Sequence, residues 1–295
     1  MKILICGGKG QLGAEFDETL GHIYEIISVD LDELDITDGS QVAASVAAFG
    51  PDVILNCAAY TAVDACETEQ DPAWKVNAVG PGNLGMAAKK QGAQLIHIST
   101  DYVFDGRKPV PEPYTERDEP NPVSCYGKTK SAGEAAVKRA TDNYIILRTA
   151  WMYGIGGKNF LKTMLRLTLK DPKKEITVVN DQFGSPTWSY RLARQIAKLI
   201  ESGGQGIYHA TSEGYCTWYE FATCFLDEMG VPHSLIPCNT AEYPTPAMRP
   251  MNSILENGRL KESGINLMKD WESDLAEFVI TFKDRLIGEA KEGII

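Results

Sequence analysis

A chain of 295 residues with 43% hydrophobic and 23% charged content has the composition of an ordinary globular protein. That is enough material for one large or two modest packed units. A formal charge of −11 leaves no electrostatic footprint for nucleic acid or an anionic membrane surface, so any phosphate group bound here must be held by a local site. The seven cysteines are odd in number, scattered and never in a C-x-x-C pair, which reads as reduced, buried thiols in a cytoplasmic protein. Four histidines without metal-type spacing argue against a metal centre, and no apolar run reaches the length of a signal peptide or membrane span.

Residues 2–6 form a β-prone run that breaks into Gly7-Gly8-Lys9-Gly10-Gln11-Leu12-Gly13, followed by a helical pattern through Leu20. Gly7, Gly10 and Gly13 permit a tight turn and let a pyrophosphate approach the backbone N–H groups at the helix N-terminus. A second strand over 24–29 ends at Asp30, an acid placed to accept hydrogen bonds from an adenosine ribose. Asp32 and Glu33 add negative charge that disfavours a 2′-phosphate and so favours NADH over NADPH; Lys9 pulls the other way. A crossover helix over 38–49 leads to a third strand over 51–56, which runs into Cys57, Ala58, Ala59 and Tyr60. The small residues there let a cofactor pass over the strand end. A helical region over 72–91 contains Asn77, and a fourth strand over 93–98 ends in Ser99-Thr100-Asp101-Tyr102.

A proline-rich loop (Pro109, Pro111, Pro113, Pro120, Pro122) then gives way to Tyr126 and Lys130, and residues 131–139 read as a helix. On a helix those two side chains stack on one face with Cβ atoms roughly 5–6 Å apart. An ammonium that close favours the phenolate and lowers the phenol's pKa, preparing Tyr126 to exchange a proton near neutral pH. A fifth strand spans 143–149. Strands alternating with helices in this way predict an α/β fold, a doubly wound parallel-sheet Rossmann domain with a smaller, mostly C-terminal α/β substrate domain. Ligands of such sheets sit outside the carboxyl ends of the strands, where the glycine loop, Asp30, Ala58 to Tyr60 and Ser99 to Asp101 all fall.

The second half is less regular. A helix over 159–169, a strand over 175–179 and a turn-rich loop over 181–187 precede an amphipathic helix over 187–201 that returns to the sheet. Helices follow over 217–229 and 271–286, separated by an extended loop in which Pro244, Pro246 and Pro250 surround Arg249. The nucleotide domain is assigned 1–150 plus about 185–205, and the substrate domain about 151–184 and 206–295.

The glycine fingerprint, Asp30, Asn56-Cys57-Ala58-Ala59, Thr100 and Tyr126-x-x-x-Lys130 together resemble the extended short-chain dehydrogenase/reductase family. The runs Ser99-Thr100-Asp101-Tyr102-Val103-Phe104-Asp105-Gly106, Arg148-Thr149-Ala150-Trp151-Met152-Tyr153-Gly154, Asp181 to Thr187 and Arg249-Pro250-Met251-Asn252-Ser253 narrow the resemblance to its dTDP-4-dehydrorhamnose reductase branch. The likeness covers nearly the whole chain. It implies NAD(P)H-dependent reduction of the C4 ketone of dTDP-4-dehydro-L-rhamnose to dTDP-L-rhamnose. On this resemblance Tyr126 is the proton donor, Lys130 holds the nicotinamide ribose and tunes Tyr126, and Thr100 hydrogen-bonds the substrate oxygen. Trp151 gives the sugar an aromatic wall, Arg249 pairs with the pyrophosphate of the dTDP group, and Asp101 and Gln182 contact the substrate. The cofactor, NADH or NADPH, is implied to rest on Gly7, Gly10, Gln11, Leu12, Gly13, Asp30, Asp35, Ile36, Ala58, Ala59 and Tyr60, besides Tyr126 and Lys130.

Three rivals are weighed against it. A 4,6-dehydratase of the same family resembles Thr-Asp-Glu where this chain has Thr100-Asp101-Tyr102, so the Glu needed for elimination is absent. An epimerase would keep its NAD bound through the cycle, whereas a reductase exchanges it each turnover. A non-catalytic subunit resembling the regulatory subunit of methionine adenosyltransferase would show damage at Thr100, Tyr126 or Lys130, and all three are intact. Some family members resemble dimers bridged by a divalent ion. Glu15 matches one ligand position, but Tyr190 stands where a further carboxylate is expected, so no metal is assigned and a homodimer is left open.

Overall fold

The computed structural model describes residues 1–294. Its central sheet has six strands, β1 (Lys2–Cys6), β2 (Glu25–Val29), β3 (Val53–Asn56), β4 (Gln94–Thr100), β5 (Tyr144–Thr149) and β6 (Gly206–His209). They lie in the order β6-β5-β4-β3-β1-β2 and every pairing is parallel. The main helices are α1 (Gln11–Leu20), α2 (Gly39–Phe49), α3 (Gly80–Gln91), α4 (Cys125–Ala140), α5 (Phe160–Lys170), α6 (Ser189–Glu201), α7 (Trp218–Glu228) and α8 (Trp271–Lys291).

The near-continuous apolar strands are explained by burial on both faces. Ile3, Ile5, Val53, Leu55, Ile145 and Leu147 pack under α1 and α6 with Leu12, Phe16, Leu192 and Ile196. Their alternate neighbours Leu4, Cys6, Ile54 and Ile146 pack on the opposite face with Val42, Val46, Leu84, Ala88 and Val137 of α2, α3 and α4. Each fully buried Leu, Ile or Val contributes roughly 1.5–3 kcal/mol, so the two layers fix the register of the sheet and the height of its carboxyl edge.

β6 is a sixth strand beyond the five expected from the sequence. It lies in a segment assigned to the substrate domain, yet Ile207 registers with Ile146 of β5 and extends the sheet by one strand. Four residues beginning with glycine carry too little alternation to announce a strand; the open edge of β5 makes it one. The helix expected over 72–91 comes in three pieces, an α turn over Gln70–Trp74, a π turn over Lys75–Val79 and α3. The π turn directs Asn77 inward, where its amide accepts from Tyr60 N at 2.8 Å and donates to Tyr60 O and Thr129 Oγ1, both at 3.0 Å.

The C-terminal lobe has its own core, in which Leu161 and Leu165 of α5, Phe221 and Phe225 of α7, and Leu275 and Phe278 of α8 meet. Ile176–Val179 pairs with Leu235–Cys238, a strand absent from the sequence reading. Cys216–Thr217, Phe183–Gly184 and Asn252–Ser253 form a small three-stranded sheet. Among the described residues no helix is long and apolar enough to cross a membrane, no group of three metal-type side chains assembles, and all seven cysteines are free.

Candidate active site

The glycine loop is shaped by backbone approaching backbone. Gly7 has φ +81°, and a Cβ added there would stand 2.6 Å from Ala58 N; one added at Gly13 would stand 2.3 Å from Gly7 O. Both contacts are with main-chain atoms that cannot turn aside, so β1, β3 and α1 converge here only because no side chain intervenes. Gly10 is the N-cap of α1, without a side-chain cap and with no acid in the first turn. The first N–H groups of α1 are thus left for an anion, which fits the pyrophosphate of a dinucleotide.

Around this cradle the implied cofactor residues divide into two kinds. Asp30 builds the turn, accepting Lys9 N on Oδ2 at 3.0 Å and Leu31 N on Oδ1 at 2.9 Å; each oxygen keeps a lone pair for a ribose. Lys9 is drawn to Asp32 at 3.3 Å and Glu33 at 3.5 Å, which raise its pKa. Ala58 N donates to Asn56 Oδ1 at 3.1 Å, Tyr60 clamps Asn77, and Gln11 Oε1 accepts from Asn159 at 3.1 Å. Ala59 is half-buried beside them. Leu12 and Ile36, by contrast, put their side chains into the two sheet cores, and Asp35 caps its own turn through Thr37 N at 2.9 Å.

The catalytic candidates lie where β4 ends and α4 begins. Ser124 caps α4 by accepting Gly127 N at 3.1 Å, and Gly127 lies so close to Tyr102 O that a Cβ would stand 2.2 Å from it. This presses the first turn of α4 onto the end of β4 and brings Tyr126, Lys130 and Thr100 together. All three are nearly buried, at 8%, 2% and 6% exposure.

Here the electrostatics depart from the sequence expectation. Lys130 donates to Ile98 O at 2.7 Å, and burial lowers its pKa to about 8 against the opposing pull of Glu134. Tyr126 is raised well above the usual phenol value, first by burial and then by the charge of Asp101. The Lys130 ammonium points to a strand carbonyl, and desolvation of the phenolate outweighs whatever lowering its charge supplies. Asp101 is 3% exposed. Burial raises it to about 6; its Oδ1 accepts from Thr100 Oγ1 at 2.8 Å and its Oδ2 from Ser253 Oγ at 2.5 Å. Asp101 thus braces Thr100 and Ser253 from inside the site.

The second lobe contributes the remaining candidates. Trp151 has φ +46°, an outlier for a bulky residue, of the kind that stores about 1–3 kcal/mol and clusters at functional sites. One face of its indole is covered by Trp218, with ring centroids 3.6 Å apart; a Cβ on Gly184 would stand 2.4 Å from Trp151 Cε2. Gln182 is 7% exposed and donates to Thr240 Oγ1 at 3.0 Å. Thr240 and Arg249 line a cavity of about 350 Å³ together with Asp105, Arg107 and Met251. Arg249 donates from Nη2 to Asp64 at 2.8 Å, while its buried Nη1 has no partner, so the guanidinium keeps donors in reserve.

The family model described as the RmlD substrate binding domain matches residues 1–283. A dTDP-4-dehydrorhamnose reductase of Escherichia coli K12 is 38% identical over 92% of this chain and 95% of that one. The chain belongs to the dTDP-4-dehydrorhamnose reductase family. A crystal structure of a family member from Clostridium acetobutylicum superposes with a TM-score of 0.92 at 44% identity, covering 96% of this chain and 100% of that one. Another from Bacillus anthracis, in complex with NADP, gives 0.92 at 42% identity over 95% and 99%.

Several residues of this family member's site went unread in the sequence. Glu134, one turn beyond Lys130, forms a bidentate pair with Arg148 (2.8 and 2.7 Å) and accepts from Ser99 at 2.7 Å, all buried. His97 lies in the same layer on Asn56 at 3.1 Å, its pKa held low by burial and Lys130. The i, i+4 continuation from Lys130 to Glu134 was a legible signal. The pairings of Asp64 with Arg249 and Asp101 with Ser253 were not, since they join positions 185 and 152 apart.

Proposed function

We propose that this chain reduces the C4 ketone of dTDP-4-dehydro-L-rhamnose to give dTDP-L-rhamnose, using NADH or NADPH. The observation that carries the reading is the burial of Tyr126 and Lys130 on one face of α4, at the same sheet edge as the uncapped glycine loop. Family membership supports the substrate, and the NADP complex of the Bacillus anthracis relative supports the cofactor class.

NAD(P)H, when bound, supplies the hydride. The glycine loop holds its pyrophosphate, Asp30 its adenosine ribose and Lys130 its nicotinamide ribose. Tyr126, kept protonated across the neutral range by burial and by Asp101, gives its proton to the C4 oxygen as negative charge develops there. The low-dielectric surroundings that make the phenolate costly also strengthen the hydrogen bond through which the proton passes. Trp151 and Gln182 border the sugar from the second lobe. Arg249 turns its spare donors to the diphosphate, where a guanidinium fork suits phosphate oxygens. In this reading the sheet binds the dinucleotide and the C-terminal lobe the sugar nucleotide, with β6 and its surroundings counted to the sheet.

The test is direct. Purified protein is given dTDP-4-dehydro-L-rhamnose with either cofactor, loss of reduced-nicotinamide absorbance is followed, and the product is identified by NMR. No turnover with either cofactor refutes the reading. Retained nucleotide in the purified protein together with an epimerised product would replace it with an epimerase.

A further inference from the structure

Both faces of the Trp151 indole are occupied by the protein itself. Trp218, the first residue of α7, stacks on one face with ring centroids 3.6 Å apart and planes 12° from parallel. Gly184 covers the other. A Cβ added there would stand 2.4 Å from Cε2 of the indole and 2.7 Å from each of its ring neighbours Cζ2 and Nε1. An approach along the rim would bring those two outer atoms nearest, so Gly184 stands above the ring plane. Trp218 at 3.6 Å leaves no room for it on the same side.

Segments far apart in the chain build this slot. Gly184 pairs with Cys216, two residues before Trp218, and on its other side with Ser253. Trp151 O accepts Thr187 N at 3.2 Å, and Phe160 meets Trp218 edge-on with ring centroids 4.7 Å apart. The left-handed backbone of Trp151, φ +46°, is tolerated because its ring is fixed from both sides. The slot lies at the catalytic edge of the sheet: Thr149, two residues before Trp151, is in register with Thr100. An indole gripped on both faces has none left to stack on a sugar. It presents its rim, where the one polar group is the Nε1–H, a donor only. That N–H has no acceptor among the described residues, and unlike Nε1 of Trp188 it is not sealed in the core.

Resting on the reductase reading above, we propose that Trp218 and Gly184 are positioning residues that set Trp151 edge-on to the substrate. The indole then serves the sugar nucleotide as a hydrogen-bond donor from Nε1 to one of its oxygens, not as a stacking wall. Such a bond to a non-reacting oxygen is made alike in the ground state and the transition state. Its loss therefore falls on KM and spares kcat.

Trp151→Phe, Gly184→Ala, Trp218→Ala and Trp218→Phe are compared with wild type for kcat, KM of the sugar nucleotide and NADPH Kd by fluorescence titration. The far-ultraviolet circular-dichroism couplet of two stacked indoles is recorded beside them. Trp151→Phe keeps an aromatic face and loses the N–H, so KM is expected to rise about tenfold, the scale of one hydrogen bond. Its kcat stays within about threefold and its NADPH Kd is unchanged. Gly184→Ala keeps the indole but drives it from the slot, with a similar rise in KM and a weakened couplet. Trp218→Ala abolishes the couplet and raises KM likewise; Trp218→Phe restores a stacking face and returns KM to within about threefold of wild type. Should Gly184→Ala fail to fold, Trp218→Ala and its Phe rescue decide the clamp. Wild-type KM in Trp151→Phe overturns the donor role and makes the ring a stacking wall after all. A full couplet in Gly184→Ala, or a loss in the Trp218 variants confined to thermal stability, overturns the clamp. No turnover in wild type overturns the assigned reaction and the donor role with it, while the couplet still reads the clamp.

Discussion

Changing Glu134 to Gln tests the deepest electrostatic commitment of the fold. Its carboxylate and the Arg148 guanidinium have side chains 2% and 1% exposed, joined by bonds of 2.8 and 2.7 Å. Arg148 has little else to turn to: His209 Nε2 lies 3.5 Å from Nη1, and the Phe104 ring centroid is 5.0 Å away. Removing one partner leaves a buried cation without its anion, which costs about 3–5 kcal/mol. Against a total stability of about 5–15 kcal/mol that is a large fraction, and it corresponds to a fall in Tm on the order of 10 °C. Because Tyr126, Lys130 and Glu134 follow at i, i+4 and i+8 on one face of α4, the pair also pins the catalytic face against β4 and β5. The assay is urea unfolding followed by circular dichroism, run for Glu134→Gln beside a cycle of Glu134→Leu, Arg148→Met and the double variant Glu134→Leu/Arg148→Met. Each single change should cost about 3–5 kcal/mol, and the apolar pair should recover most of it. A single-variant cost below about 1 kcal/mol, the range of solvated surface pairs, would refute the reasoning.

Other expectations follow from the same geometry. Tyr126→Phe should lower kcat by about 10²–10⁴ while leaving NADPH Kd unchanged; near wild-type turnover would remove Tyr126 as the donor. Gly13→Ala drives a Cβ to 2.3 Å from Gly7 O and should weaken dinucleotide binding at least about tenfold by titration. Gly288→Ala, in α8 with open space around it, should instead raise stability by about 0.5–1 kcal/mol. Burial raises Asp101 from 3.8 in the unfolded chain to about 6, so its contribution to stability is full below pH 4 and is lost as pH rises through about 6. Asp101→Asn should accordingly gain up to about 3 kcal/mol on wild type above pH 6 and nothing near pH 4 in denaturation curves. Lys130, lowered by burial to about 8, loses its ammonium above that pH, and kcat/KM should fall along an alkaline limb centred there; a flat profile to pH 9 would separate Lys130 charge from catalysis.

Local patterns in the sequence carried the strand–glycine–helix opening and the first five strands of the sheet, because each depends on residues within a few positions of one another. The glycine loop is the clearest case, since Gly7 and Gly13 have to be bare for β1, β3 and α1 to meet. Tyr126 and Lys130 were visible for the same reason, one helical turn apart. What Lys130 does there was not visible. Its ammonium turns to Ile98 O, and the burial that lowers its pKa while raising that of Tyr126 exists only once α4 lies on the sheet. β6 needed the open edge of β5, Asn77 needed a π turn to face inward, and Trp151 was set against Trp218 by the packing of the second lobe. The same holds for Asp101. As a residue in a motif it read as a substrate contact, and only the fold brings Ser253 to its other oxygen and makes it a brace. Composition and periodicity determine which segments become strands and helices; the direction of a proton in a buried hydrogen bond depends on partners far apart in the chain, and those the tertiary structure decided.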